Sequence, residues 1–126
     1  MSSLNYRTAV LGASPNPDRY AYLAVERLKS HNIPVIPLGF RKGEIVGEEI
    51  ILDWPQQIDN LHTLTLYIGP KRQPEFYNYI AQLKPSRVIF NPGTENRELY
   101  RLLQDNHIQF EEACTLVLLS TNQYMI

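Results

Sequence analysis

The N-terminal part of the chain contains the most informative stretch of the sequence, Thr8-Ala9-Val10-Leu11-Gly12-Ala13-Ser14-Pro15-Asn16-Pro17-Asp18. Its first four residues predict a buried strand, and the glycine, prolines and polar residues after them predict a turn. Apolar residues at helical spacing, Leu23, Ala24 and Leu28, then predict a helix over about 19–31. A strand, a glycine turn and a helix form the opening unit of an α/β fold.

The same alternation continues to the end of the chain. Further strands are predicted at 35–38, 64–68, 87–90 and 108–111, and further helices at 74–83, 96–106 and 113–121. Strands that alternate with helices predict right-handed crossovers and a parallel sheet. We expect one domain over residues 1–126 with a doubly wound, five-stranded parallel sheet in the order 3-2-1-4-5. Its ligand is expected at the carboxyl ends of the strands, between strands one and four.

Composition narrows the class of protein. The chain has 126 residues, of which 44% are hydrophobic and 20% charged, and its formal net charge is −1. These values predict an ordinary globular domain, and the near-neutral charge argues against nucleic-acid or membrane-surface binding. No apolar run is long enough to span a bilayer, and no signal peptide is recognisable. A single cysteine excludes an internal disulfide and favours a cytoplasmic protein.

The loop after the first strand is the first candidate for ligand binding. Gly12 allows a backbone or a phosphate to approach closely, while Ser14 and Asn16 offer hydrogen bonds. The N-terminus of the next helix directs N–H groups to the same place, which favours an anion. The alternative is a tight turn in which Ser14 or Asp18 caps the helix, and the local residues alone do not decide between the two.

The loop after the second strand discriminates between nucleotides. NAD-binding folds usually carry an acidic residue there to bind the ribose hydroxyls. This chain instead has Arg41 and Lys42, with no carboxylate before Glu44. Two cations favour a ligand with a phosphate on its ribose, such as NADP or coenzyme A. The alternative is an exposed, solvated basic turn.

The remaining loops at this edge add charge and polarity. The third loop is Gly69-Pro70-Lys71-Arg72, the fourth is Asn91-Pro92-Gly93-Thr94, and Arg19 begins the first helix. A basic lip on a near-neutral protein predicts a small anionic nucleotide ligand rather than a nucleic-acid track.

The whole pattern resembles the small stand-alone CoA-binding proteins with a Rossmann-like fold, which share that fold with the CoA-binding domain of the succinyl-CoA synthetase alpha subunit. The resemblance covers about residues 6–124. The matching pieces are Val10-Leu11-Gly12-Ala13-Ser14-Pro15-Asn16-Pro17, Val35-Ile36-Pro37-Leu38, Gly93 with Asn96, and Cys114. Many relatives have Asn-Pro where this chain has Gly39-Phe40, and proline where it has Thr115.

The resemblance implies a role for each loop in holding coenzyme A. The first loop would hold the diphosphate through Gly12, Ala13 and Ser14. The second would flank the adenosine and its 3′-phosphate through Leu38, Arg41 and Lys42. The adenine would be walled by Tyr67, Ile68 and Pro70, and the pantetheine arm would lie near Asn91 and Gly93.

No catalytic or metal-binding constellation is recognisable in the sequence. The three histidines, His31, His62 and His107, have no metal-ligand spacing with one another or with Cys114. Ser14 lacks a nucleophile-elbow sequence and a predicted base. Cys114 is more typical of a packing residue than of a redox centre.

The sequence therefore favours a protein that binds coenzyme A or an acyl-CoA non-covalently, without catalysis of its own. Two alternatives remain open at this point. One is an NADP- or other nucleotide-dependent oxidoreductase component that acts with a partner, and the other is a regulatory protein that senses acyl-CoA. The acyl group, and whether a protein partner or a homo-oligomer is involved, are left open as well.

Overall fold

The structure, a computed structural model, describes residues 2–125. The strands of the main sheet are β1 (Thr8–Ala13), β2 (Val35–Gly39), β5 (Thr63–Leu66), β6 (Arg87–Phe90) and β7 (Gln109–Glu112), and a separate antiparallel pair consists of β3 (Glu44–Ile45) and β4 (Glu48–Glu49). The helices are α1 (Tyr20–Ser30), α2 (Tyr77–Leu83), α3 (Arg97–Asp105) and α4 (Thr115–Ser120), with short 3-10 helices at Ser3–Tyr6 and Gln73–Phe76. All neighbouring strands of the main sheet are parallel.

Alternating residues of the strands build two separate cores, one on each face of the sheet. Leu11 and Phe90 pack on the face that α2 and α3 cover. Val10 and Ile89 point the other way and pack beneath α1 and α4. Side chains of successive strand residues project to opposite faces, so strands covered on both sides bury both sets of side chains and are mostly apolar. The predicted doubly wound, Rossmann-like α/β fold is confirmed.

The predicted strand order, 3-2-1-4-5, is wrong. The third predicted strand is β5, and it lies between β1 and β6, which makes the order 2-1-3-4-5. All four residues of β5 are fully buried. Leu64 and Leu66 pack into one core, while Thr65 on the other face hydrogen-bonds Thr115. An edge position would leave one side of this buried backbone unpaired. The chain therefore reverses its winding between β1 and β5, which moves the expected ligand crevice there.

The connection from β2 to β5 contains no α-helix. Ile51 pairs with Leu38 in an isolated bridge beside β2. Trp54 then packs against the core on the α2 side, and its indole Nε1 donates a hydrogen bond of 3.1 Å to the backbone oxygen of Gly39. The rings of Phe40, Phe76 and Tyr79 surround that of Trp54, with ring centres 5.3, 5.1 and 5.4 Å away. In this connection an aromatic cluster thus takes the place of the crossover helix found in most doubly wound folds.

The amino edge of the sheet holds a cluster of buried polar side chains. Nε of Arg87 donates to the hydroxyl of Thr63 over 3.0 Å, and Nη1 donates to the backbone oxygen of Tyr124 over 2.8 Å. The hydroxyls of Tyr124 and Thr8 lie 2.7 Å apart. These bonds attach the C-terminal segment beneath the sheet. Of the helices in residues 2–125, none has the length and apolar character needed to cross a membrane.

The stability of the fold is expected to depend on the protonation of His62. Burial, together with the neighbouring Arg87 guanidinium, lowers the pKa of His62 below 6.5. The unfolded chain then binds a proton more readily than the folded one, so the free energy of unfolding falls as the pH drops below 6.5 towards the folded pKa. Urea denaturation between about pH 8 and about pH 5.5 measures this loss. His62→Gln removes part of the pH dependence, and the matched variant of exposed His107, His107→Gln, retains it. An identical profile in all three proteins would contradict the prediction.

Candidate functional site

An open cleft of about 460 Å³ lies at the carboxyl edge of the sheet, beside the point where the winding reverses. Its volume is within the range of small-molecule sites. Seven of the residues predicted from sequence line it: Gly12, Ala13, Ser14, Asn16, Arg41, Tyr67 and Gly93. Folding therefore brings the loops after β1, β2, β5 and β6 together around one space.

Gly12 allows a close approach of two backbone segments. Its φ is +101°, in the left-handed region, and the register between β1 and β2 shifts at this residue. A Cβ atom there would lie 3.2 Å from the carbonyl group of Tyr67 and from the side chain of Ile68. Of the two predicted reasons for a glycine, the approach of a backbone is the one that the structure shows, and that backbone is the end of β5.

The loop after Gly12 leads into the first turn of α1. The Ser14 hydroxyl accepts a hydrogen bond from the Asn16 N–H, and the Asn16 side chain accepts one from the Asp18 N–H. The N-cap of α1 is Arg19, whose side chain makes no capping bond. Neither Ser14 nor Asp18 therefore caps this helix. An uncapped helix N-terminus with N–H groups at a cleft favours a negatively charged ligand.

The charge of the cleft comes from three arginines, Arg19, Arg41 and Arg72, each on a different loop. Among residues 2–125, no carboxylate, histidine or cysteine lines the cleft. The sole ion pair found between described residues, Lys29–Glu48, involves none of the three arginines. The positive field of the cleft is therefore not neutralised by ion pairing within the described chain.

Lysine and arginine neighbours differ in position. Lys42 and Lys71 are exposed and lie outside the lining, whereas Arg41 and Arg72 beside them line the cleft. Of the two predicted basic pairs, only the arginine of each faces the space that a ligand would occupy.

Four further predicted residues also lie outside the lining. Leu38 and Ile68 are buried in the core on the α2 side, and Pro70 is exposed next to the cleft without contributing to it. Successive side chains of an extended chain point to opposite sides, and those of Leu38 and Ile68 point into the core rather than into the cleft.

Asn91 is the fourth, and it is only 2% exposed. Its amide nitrogen donates to the Thr65 hydroxyl over 2.7 Å and to the Leu66 backbone oxygen over 3.0 Å, and its amide oxygen accepts from the Thr115 N–H over 2.9 Å. The Asn91 amide is thus engaged by three hydrogen bonds within the fold, and its side chain does not line the cleft. The nearby Gly93, in contrast, lines the cleft.

Sequence reasoning missed several residues that line the cleft. The largest side chains among them are Tyr20, which is 71% exposed, and Phe40, which is 44% exposed. The sequence contained a signal for both residues. Tyr20 follows Arg19 and Phe40 precedes Arg41, so each aromatic residue adjoins a basic residue at the predicted ligand edge. Pro92 and Thr94, which belong to the loop that the sequence placed at this edge, line the cleft as well.

The phenol ring of Tyr67 is largely buried at the cleft wall. Its hydroxyl is fully buried near the hydroxyls of Thr65 and Thr115 and makes no hydrogen bond of good geometry with the described residues. Burial raises the pKa of Tyr67 above its usual value, so the phenol stays neutral.

Cys114 is half-buried near that hydroxyl and is the N-cap residue of α4, outside the cleft lining. In residues 2–125, no cluster of three metal-ligating side chains is present.

Comparison with known proteins agrees with this geometry. A family model described as a CoA binding domain matches residues 6–120 of the chain. A solved structure of an uncharacterised protein is 53% identical, with a TM-score of 0.90, covering 94% of this chain and 97% of its own. A second solved structure, of a Thermus thermophilus protein called cell-free ID.343, shares the fold at 24% identity and a TM-score of 0.79, covering 94% of this chain and 90% of its own.

A third solved structure is a hypothetical protein from Pyrococcus horikoshii. It is 25% identical with a TM-score of 0.75, and the alignment covers 87% of this chain and 78% of that one. No curated protein matches the sequence.

Gly12 and Gly69 offer a matched test of the backbone at the cleft. Gly12→Ala is expected to lower the free energy of unfolding by about 1–3 kcal/mol, because alanine is strained at a positive φ and its Cβ meets the Tyr67 backbone. Gly69→Ala is the control, since a Cβ there has nothing within 4 Å. Chemical denaturation of both variants gives the comparison, and equal stabilities would show that the approach at Gly12 is unimportant.

Proposed function

The chain belongs to the family of CoA-binding domains, and from this premise we propose that its cleft binds coenzyme A or an acyl-CoA non-covalently. The proposed role is that of a binding module without chemistry of its own. The observation that carries the proposal is the charge of the cleft. Three arginines and an uncapped helix N-terminus line one space that contains no carboxylate in the described chain. Coenzyme A, with a diphosphate and a ribose phosphate, is a small ligand of matching charge.

The distribution of charge supports one orientation of the ligand. Arg19 and the first turn of α1 would bind the diphosphate, and Arg41 would bind the phosphate on the ribose. In the described chain, the loop after β6 contributes no cation to the lining, and the N–H of Gly93 already donates a hydrogen bond of 2.8 Å to the Glu95 carboxylate, which lies outside the lining. This part of the cleft therefore disfavours phosphate and tolerates the neutral pantetheine arm. We therefore place the pantetheine along Gly93 and Thr94.

NADP is the competing ligand, because it also carries a phosphate on a ribose. Direct titration of the protein with coenzyme A, acetyl-CoA, NADP and NAD shows which of these ligands it prefers. Binding of coenzyme A that exceeds binding of both nicotinamide nucleotides supports the proposal. No binding of coenzyme A or acetyl-CoA at a concentration of about 1 mM, which corresponds to a binding free energy weaker than about −4 kcal/mol, would overturn it.

The arginine and lysine after β2 are expected to differ in their effect on binding. Arg41→Gln should weaken coenzyme A binding by about tenfold or more, because a charge-assisted hydrogen bond contributes about 1.5–3 kcal/mol. Dephospho-CoA, which lacks the ribose phosphate, should lose much less. Lys42→Gln is the matched control, since Lys42 is exposed and does not line the cleft. Isothermal titration calorimetry measures the affinities of the wild type and of both variants for coenzyme A and for dephospho-CoA. Equal effects of the two substitutions would contradict the assignment of Arg41.

A further inference from the structure

A second cation lies at the ribose end of the cleft, on a different loop from Arg41. We infer that Arg72, stacked on the ring of Phe40, is a specificity-determining residue that selects ligands with a phosphate on the adenosine ribose, and that Phe40 positions it. The inference rests on the proposed function and adds a contact, between Arg72 of the basic lip and Phe40, that the sequence pattern did not indicate. It explains why a large aromatic side chain stands exposed at the rim of a polar cleft.

The geometry at Phe40 joins two loops that are far apart in sequence. The guanidinium carbon of Arg72 lies 4.3 Å from the centre of the Phe40 ring. Other sides of the ring meet Trp54 and Phe76, with ring centres at 5.3 and 5.7 Å. Phe40 is thus fixed by two aromatic neighbours, while its contact with Arg72 lies at the cleft. A cation over an aromatic face is attracted by the ring quadrupole.

The backbone of Arg72 is fixed as firmly as its side chain. Its N–H donates to the Gly69 oxygen over 3.1 Å. The next residue, Gln73, is fully buried, and its amide nitrogen donates to the backbone oxygens of Ile68 and Thr94, both over 2.8 Å. The loop carrying Arg72 is therefore tied to the ends of both β5 and β6. Because both the backbone and the guanidinium group of Arg72 are held in place, the side chain loses little conformational freedom when it binds a ligand.

The position of Phe40 after β2, with Arg72 stacked on its ring, indicates that the two residues contact the ribose end of the ligand. In dinucleotide-binding folds, the residue that recognises the ribose follows the second strand. Phe40 follows β2 directly, so stacking brings Arg72 to that place alongside Arg41, and both arginines line the cleft. No carboxylate lining the described part of the cleft competes for them. Two guanidinium groups match a phosphate dianion, since each can bind its oxygens in a fork.

The test compares coenzyme A with dephospho-CoA, which differ only in the ribose phosphate. Isothermal titration is carried out with the wild-type protein, Arg72→Gln, Phe40→Leu and the double variant, with Lys71→Gln as the matched control. Arg72→Gln is expected to weaken coenzyme A binding by about tenfold or more and to affect dephospho-CoA much less. Lys71→Gln should leave both affinities close to those of the wild type, because Lys71 does not line the cleft. Arg72→Lys should restore binding only in part, since lysine cannot form the fork.

Phe40 should act through Arg72 rather than on its own. Phe40→Leu keeps an apolar side chain and is expected to weaken coenzyme A binding by about two- to fivefold. In the Arg72→Gln background the same change should have no further effect, which a purely structural role of Phe40 would not produce. Thermal unfolding of each variant verifies that the fold is intact.

The outcomes separate the inference from the proposed function. A wild-type protein that binds neither ligand overturns both. If the wild-type protein binds the two ligands equally well, the proposed function is supported, but the role of Arg72 in selecting the ribose phosphate is overturned. Equal losses for both ligands in Arg72→Gln would also overturn it, by showing that the residue acts through loop structure. Losses that add in the double variant would overturn the positioning role of Phe40.

Discussion

The buried amide of Asn91 is the constraint on which the carboxyl edge of the sheet depends. Both of its N–H groups and its oxygen are engaged, and its partners belong to β5 and α4 while it follows β6 itself. The Thr65 hydroxyl, which it contacts, also lies 2.7 Å from that of Thr115. The backbone oxygen of Asn91 accepts from the N–H and hydroxyl of Thr94. Because a buried polar group left without a partner costs about 1–3 kcal/mol, this network favours the observed arrangement of the three elements over arrangements that break its hydrogen bonds.

The candidate site is built on this rigid edge and carries its charge on surrounding loops. The glycine at position 12 lets β1 and the end of β5 approach, and Gln73 ties the loop after β5 to the loop after β6. An arginine side chain has few accessible conformations when its backbone is hydrogen-bonded and its guanidinium group stacks on a ring, as at Arg72. The elements beneath the cleft are thus held by buried contacts, while the contacts with an anion come from a few positioned cations and backbone N–H groups.

Local patterns predicted the elements well, because short-range preferences set them. Asn96 is the N-cap of α3 as expected, with its side chain accepting from the N–H groups of Glu98 and Leu99. The strand order was wrong because it depends on what covers each strand. The Thr-Leu-Thr-Leu segment of β5 alternates like a half-exposed strand, yet its threonine hydroxyls are satisfied within the fold, that of Thr63 by Arg87 and that of Thr65 by Thr115 and Asn91. Hydrogen bonds to residues distant in sequence give no periodic signal.

What the sequence by itself determined is the α/β alternation, the glycine loop after β1 and the basic character of the loops at one edge. These follow from side-chain size, backbone preference and charge within a few neighbouring residues. Tertiary structure alone decided that β5 is central, that Arg41 and Arg72 rather than Lys42 and Lys71 face the cleft, and that Arg72 stacks on Phe40. The physical reason is that burial and stacking depend on which segments meet after folding, and residues separated along the chain do not specify their partners through local propensity.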